Sequence, residues 1–284
     1  MRISQIILLL TGVALVAALY LFGDTQPKKI TDLPGPGKMQ ATASSDNVAI
    51  SFETILAKAQ ETINESQRDS LSQMETQLSK TSGIEEKIPL LTAIGEKWSE
   101  TGNIIVAGKY YEDAAELTNE IKMWEQAATR FFVGFPNAAD TLAKVFAVQE
   151  AIKCYERLRK LDTSNLDYPI RQAICYIDGQ GQVMQGVTLL KTVERKDSDN
   201  TDMNLILGRL AVVSGQYDKA IARLEKLVKT DPKNAEAYFH LAEAYRAVGR
   251  KDDAIHTLEH CKTLIEDEDF NVQIDSYINQ IKNS

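Results

Sequence analysis

The chain's three histidines are His240, His256 and His260. His256 and His260 stand four apart beside Glu259 and Cys261, a spacing that puts two zinc-type ligands on one helix face. Cys261, however, falls at a packing position of a 34-residue sequence repeat and must point inward. Two ligands on a helix surface then remain, and solvated histidines are the expectation. Gly37-Lys38 invites a phosphate-loop reading. It fails because Asp32 stands where the first glycine is needed, Met39 replaces the Ser/Thr, and no strand precedes it. The sequence contains no Gly-x-Ser-x-Gly turn, no Cys-His pairing at recognised spacing and no glycine-rich strand–helix junction. Cys154, Cys175 and Cys261 are too few and too scattered for a disulfide scaffold or a four-ligand zinc site; they read as small buried hydrophobes. These residues predict no enzyme and no cofactor. The acidic tract at residues 266–269 offers a docking site for a basic partner or a solvated turn before the last helix, and the turn is expected.

The elements that would position such residues are helical. Over 284 residues, 25% are charged, 44% apolar and only 7% aromatic, a balance that supports a packed core and leans away from a turn-rich β fold. The 40 Asp+Glu against 32 Lys+Arg leave a net charge of −8. That argues against a nucleic-acid partner, because such affinity rests on clustered cations.

Residues 3–23 carry no charge, and residues 6–22 read IILLLTGVALVAALYLF. About 20 helical residues at 1.5 Å each cross a hydrocarbon layer of roughly 30 Å, and Tyr20 sits where an aromatic interface anchor would. An N-terminal transmembrane anchor over residues 1–23 is expected. The alternative is a cleaved signal peptide, disfavoured because Leu19, Tyr20, Leu21 and Phe22 put bulk where cleavage wants small residues. Arg2 before the segment and Lys28 and Lys29 after it leave the positive-inside rule near a tie. Residues 24–47 hold Pro27, Pro34 and Pro36 with Gly35 and Gly37, which predicts a flexible linker. Residues 48–87 form an N-terminal helical region. Phe52, Leu56, Ala59 and Ile63 make one stripe, residues 64–70 have no apolar side chain, and the stripe resumes out of phase at Leu71, Met74 and Leu78. This predicts one bent helix or two helices, serving as a cap on the adjoining domain or as a self-association element.

From residue 88 the chain repeats. Residues 201–234 and 235–268 align at a step of 34 without a gap: Leu207-Gly208 with Leu241-Ala242, Gly215 with Gly249, Ala220-Ile221 with Ala254-Ile255, Leu224 with Leu258, Leu227 with Cys261. Residues 167–200 keep Ala173, Gly181, Gly186-Val187, Leu190 and Val193 in phase, and residues 88–121 keep Gly95, Trp98, Gly102, Ala107, Tyr111 and Ala114. Small residues let two antiparallel helices approach; large ones such as Trp98, Tyr111, Tyr155 and Tyr245 fill the space between neighbours. Gly102, Gly181, Gly215 and Gly249 mark the turns, where φ > 0 is often needed. Asp231-Pro232 stops a second helix. Residues 122–166 are irregular, 11 residues longer than the step. Either lengthened helices absorb the excess, or Gly134-Phe135-Pro136 ends one helix and Asn137 starts the next; the break is expected. Residues 269–284 then make a capping helix.

These positions resemble tetratricopeptide repeats, over about two thirds of the chain. The resemblance implies an all-α, right-handed superhelical solenoid of about five helix-turn-helix units, here preceded by a single transmembrane helix. It further implies a concave groove lined by the first helix of each unit: Arg171, Gln172 and Cys175, then Leu205, Ile206 and Arg209, then Phe239, His240, Glu243 and Arg246. Cys175, Ile206 and Glu236 stand where the chaperone-tail variety of the family carries a Lys/Asn carboxylate clamp, so a C-terminal carboxylate ligand is disfavoured. Leu205, Ile206 and Phe239 among three arginines suit an amphipathic or acidic-aromatic segment of another protein. Alternatively the chain's own residues 48–80 fill part of the groove. The layout is similar to bacterial envelope adaptors, including ancillary secretion-translocon subunits and cytochrome-assembly factors. It implies a non-catalytic scaffold in the bacterial inner membrane, attached through residues 3–23, with its repeats facing the periplasm. A self-associating structural protein, and an import-receptor-like protein facing the cytosol, are the alternatives.

Overall fold

The computed structural model describes residues 51–283, and the expected anchor, the linker and the first residues of the N-terminal region lie outside them. Among the described residues there are thirteen α-helices and no strand, and no helix is long and apolar enough to cross a membrane.

Two helices precede the repeats: α1 (Phe52–Glu61) and α2 (Glu65–Lys80). The polar stretch after Ile63 is no loop. Asn64 and Gln67 close a reciprocal capping box, so these polar residues start α2 by satisfying its first backbone donors. Five antiparallel pairs come next along the chain. They are α3 (Ile84–Glu100) with α4 (Ile104–Thr118), α5 (Ile121–Gly134) with α6 (Thr141–Leu161), and α7 (Asp167–Ile174) with α8 (Val183–Glu194). Then come α9 (Thr201–Val213) with α10 (Tyr217–Thr230) and α11 (Ala235–Ala247) with α12 (Lys251–Thr263), before α13 (Glu268–Asn283). The first pair starts at Ile84, four residues ahead of the sequence repeat. In the irregular unit the helix does break at Gly134, but a short 3₁₀ turn (Phe135–Asn137) comes after it, and α6 begins only at Thr141. Asp140, not Asn137, caps it, accepting from the Ala143 amide at 2.9 Å. A break and a 21-residue second helix share the excess length.

The repeat glycines do what their spacing demands. Gly181 and Gly215 turn the chain at φ +68° and +73°. Gly95 and Gly208 serve close packing instead: a Cβ would stand 2.8 Å from the Tyr111 ring and 2.6 Å from Leu224. Asn204 occupies a buried position where an apolar residue would be usual. Its amide donates to the Ser198 and Asn200 carbonyls at 3.0 and 2.8 Å and its oxygen accepts from Arg223, which removes the cost of burying it.

The N-terminal helices pack onto their own chain. Phe52 meets Tyr110 of α4 and Phe146 of α6 at ring distances of 6.0 and 6.1 Å, Lys58 pairs with Asp140 at 2.6 Å, and Leu71 is buried. Since α4 and α6 are second helices, α1 lies on their layer. Beside it, Glu112 is fully buried between α4 and α6, held by Lys109 at 3.0 Å and Lys153 at 2.6 Å. Burial favours its neutral form, yet the two lysines outweigh that and hold its carboxyl below the usual range. Neighbouring Glu150 goes the other way, pushed up to about 7 by burial and by the Glu112 charge.

Two outcomes are expected. In Gly186→Ala the new Cβ would overlap Ile177 and stand 2.8 Å from the Ala173 carbonyl, so denaturant unfolding loses about 1–3 kcal/mol; Gly181→Ala, strained but in open space, loses about 1 kcal/mol. A carboxyl with a raised folded pKa stabilises fully below its unfolded value, here 4.5, and loses that contribution as pH rises through about 7. Glu150→Gln therefore matches wild type near pH 4.5 and exceeds it by roughly 1 kcal/mol at pH 8 in urea midpoints.

Candidate functional site

Because successive first helices run parallel, their exposed faces line one channel. Two cavities open along it. The first, about 330 Å³, lies between α5, α7 and α9, with Phe132, Ile174, Leu205 and Ile206 as its apolar floor and Asp167, Arg171, Asp178, Asp202, Arg209 and Glu236 around it. The second, about 690 Å³, lies between α11 and α13 and is lined by Phe239, Ile265, Phe270, Ile274 and Tyr277 with Glu236, Glu243 and Arg246. Glu236, in the first turn of α11, borders both.

Seven of the ten residues expected in the groove line these cavities: Arg171, Leu205, Ile206, Arg209, Phe239, Glu243 and Arg246. Three do not. Gln172 is 2% exposed, accepting from Arg159 at 2.8 Å and donating to the Ile152 carbonyl. Cys175 is fully buried, and burial pushes its thiol up to about 12. Both turn back toward α6, and α7 runs on into a π-helical turn over Cys175–Gly179. His240 sits behind the channel wall, its Nδ1 2.8 Å from Glu243 and its Nε2 3.7 Å from Glu236. Sequence reasoning missed the contribution of α13, although the step of 34 carries Glu236 onto Phe270 and Glu243 onto Tyr277. Assigned to capping alone, that helix hid half of the second cavity. Residues 52–80 line neither cavity, so the N-terminal helices fill neither of them.

The arginines meet other groups of the chain. One Arg209 nitrogen, Nη2, donates to both carboxylate oxygens of Asp178 at 2.9 and 3.0 Å. Arg171 lies over the Phe132 ring at 5.3 Å and Arg246 over Tyr277 at 5.5 Å, the geometry of a cation–π contact. The supposed ligand pair on α12 does not converge: His256 is exposed, His260 packs on the Tyr238 ring at 4.5 Å, and Cys261 is buried with its thiol 3.3 Å from the Ala235 carbonyl. Among the described residues no group of three or more His, Cys, Asp or Glu is placed to hold a metal ion. Cys154 and Cys261 are also buried, with thiols raised above their ordinary range by burial.

Burial opposes a charge on His240, but Glu236 and Glu243 outweigh it and raise the ring to about 9. A raised histidine stabilises fully below its unfolded pKa near 6.5 and loses that as pH passes about 9. His240→Asn is therefore expected to lose roughly 1 kcal/mol at pH 6, and thermal melts of the two proteins should coincide at pH 10.

The sequence of residues 211–261 matches the tetratricopeptide-repeat family model. Among curated proteins, none matches the chain. Solved structures show the fold more widely. A tetratricopeptide repeat protein from Parabacteroides merdae is 15% identical, with 81% of this chain and 86% of that one covered and a TM-score of 0.54. PilW, a type IV pilus biogenesis factor, is 12% identical, with 69% and 86% covered and a TM-score of 0.52. At such identities the likeness is one of fold. The chain folds as an all-helical tetratricopeptide-repeat solenoid, with the family's sequence pattern carried by residues 211–261.

Proposed function

We propose that this protein is a membrane-tethered, non-catalytic adaptor that holds a segment of another protein in the channel of its first helices. The observation that carries this reading is the pair of cavities meeting at Glu236. Together they present apolar floors with polar rims, which is how a groove binds a peptide or helix: side-chain pockets supply affinity and flanking polar groups set register. The thiols are buried and the histidines are scattered or paired, while the channel surface offers a partner apolar and charged groups side by side. The tether rests on the uncharged run at residues 3–23, and placement in a bacterial inner membrane with the repeats toward the periplasm rests on the resemblance of layout. The fold shared with a pilus biogenesis factor is compatible with envelope assembly.

Self-association through the N-terminal helices is the weaker reading, because Phe52, Ile55, Ala59 and Leu71 are spent on contacts within the chain.

The test is a cross-linked pull-down from native membranes with the wild type and with Leu205→Ala/Phe239→Ala. A buried aromatic anchor is worth about 2 kcal/mol or more, roughly thirtyfold in affinity. A defined partner should be captured by the wild type and fade with the variant, while the variant's helical circular dichroism is retained. An identical set of partners for both proteins would overturn the channel reading.

A further inference from the structure

The charges around the channel are sorted by position. Asp167, Asp202 and Glu236 occupy the first turns of α7, α9 and α11 and border the same cavity. Asp202 and Glu236 are one 34-residue step apart. The next helix in the row is α13, which carries Glu268 and Asp269 in its first turn. These two lie at the same end of α13 as the carboxylates of the preceding first helices but line neither cavity. In α9, α11 and α13 these groups are not needed as caps: Asn200, Asn234 and Asp267 already accept from the Met203, Ala237 and Phe270 amides at 3.0, 3.0 and 2.8 Å. Among the described residues, neither Asp167 nor Asp202 makes an ion pair, nor do Glu268 and Asp269. Of the positive groups of the channel, Arg209 pairs with Asp178 and His240 with Glu236 and Glu243, while Arg171 and Arg246 lie over aromatic rings and keep their charge.

Resting on the channel reading, we infer that its occupant is a cationic amphipathic segment of a partner protein, with Lys or Arg side chains along the Asp167–Asp202–Glu236 edge and an apolar or aromatic side chain in the cavity formed by Phe239, Phe270 and Tyr277. The acidic-aromatic ligand suggested by three arginines in sequence is replaced by its electrostatic opposite, because around the first cavity four carboxylates, Asp167, Asp178, Asp202 and Glu236, stand against two arginines, one of them paired with Asp178. An acidic segment would meet exposed carboxylates, whereas a basic one exchanges water for charge-assisted hydrogen bonds.

The experiment uses the full chain in nanodiscs of zwitterionic lipid, with empty discs as the blank. The probes are two labelled peptides of about 12 residues, long enough to span neighbouring helices spaced about 10 Å apart. Both carry Phe and Leu; one has Lys at every intervening charged position and the other has Glu. Fluorescence anisotropy should show the Lys peptide binding at least tenfold tighter than the Glu peptide, with affinity falling as salt rises. Asp202→Asn/Glu236→Gln should weaken it at least fivefold. Asp218→Asn/Asp252→Asn neutralises first-turn carboxylates of the second helices α10 and α12 and should leave it unchanged. Equal or tighter binding of the Glu peptide, equal losses in the two double variants, or no binding of the Lys peptide above the blank would each overturn the inference. Phe239→Ala separates the two levels. If the Glu peptide binds and Phe239→Ala abolishes that binding, the channel reading stands and the charge assignment falls. If Phe239→Ala leaves the binding of either peptide intact, both fall.

Discussion

Close approach of the two helices within each pair is the constraint on which the rest of this molecule depends. Gly95 lies under Tyr111 and Gly208 under Leu224, with no room for a methyl group between them, and Ala107, Ala220 and Ala254 are fully buried at the matching places of second helices. Each pair buries its apolar face only against its neighbours, so stability is carried from contact to contact along the array. The distance between helix axes sets the step from unit to unit, and the step sets the width of the channel. Where the pattern is stretched, in the unit made of α5 and α6, the chain keeps its phase by a break at Gly134 and a longer second helix capped by Asp140.

The two layers divide the polar work differently. In the layer of second helices, charge is brought inside and satisfied there: Glu112 is buried against Lys109 and Lys153, and Arg223 ties Glu194 to the buried Asn204. Removing one partner from such a group would leave an uncompensated charge, which is why these contacts fix the register of the helices more than they add to stability. In the layer of first helices, Arg209 and His240 are paired with carboxylates of the chain, while Asp167 and Asp202 at the helix starts stay in water. Those carboxylates face the positive ends of helix dipoles, so the edge is stable as it stands and still able to meet a positively charged side chain. The helix α1 adds to the second layer, and neither N-terminal helix enters the two cavities.

Much of this was legible in the chain itself. The step of 34, the turn glycines and the small residues at the helix crossings are local in sequence, and a helix pair with a short turn has few ways to pack. The five pairs and the interruption at Gly134 followed from that pattern, as did the inward position of Cys261. The site was legible in part. Leu205, Phe239 and Arg209 fell on the channel because a strict repeat transfers faces from one unit to the next. Gln172 and Cys175 did not: Gln172 is held by Arg159 and the Ile152 carbonyl of α6, and Cys175 is fully buried, contacts that the spacing does not encode. The role of α13 was hidden because a helix that ends an array and a helix that lines a channel share the same apolar stripe.

The sequence by itself determined the class of fold, the period and which residue types stand at the helix starts, because those depend on neighbours a few positions away. Only the tertiary structure decided which charges are free. Arg209 meets Asp178 across 31 residues of chain, and Arg171 and Arg246 find aromatic rings on other helices. Whether a charged side chain is available to a partner depends on what lies within a few ångströms of it in space, and that is settled only when the helices have stacked.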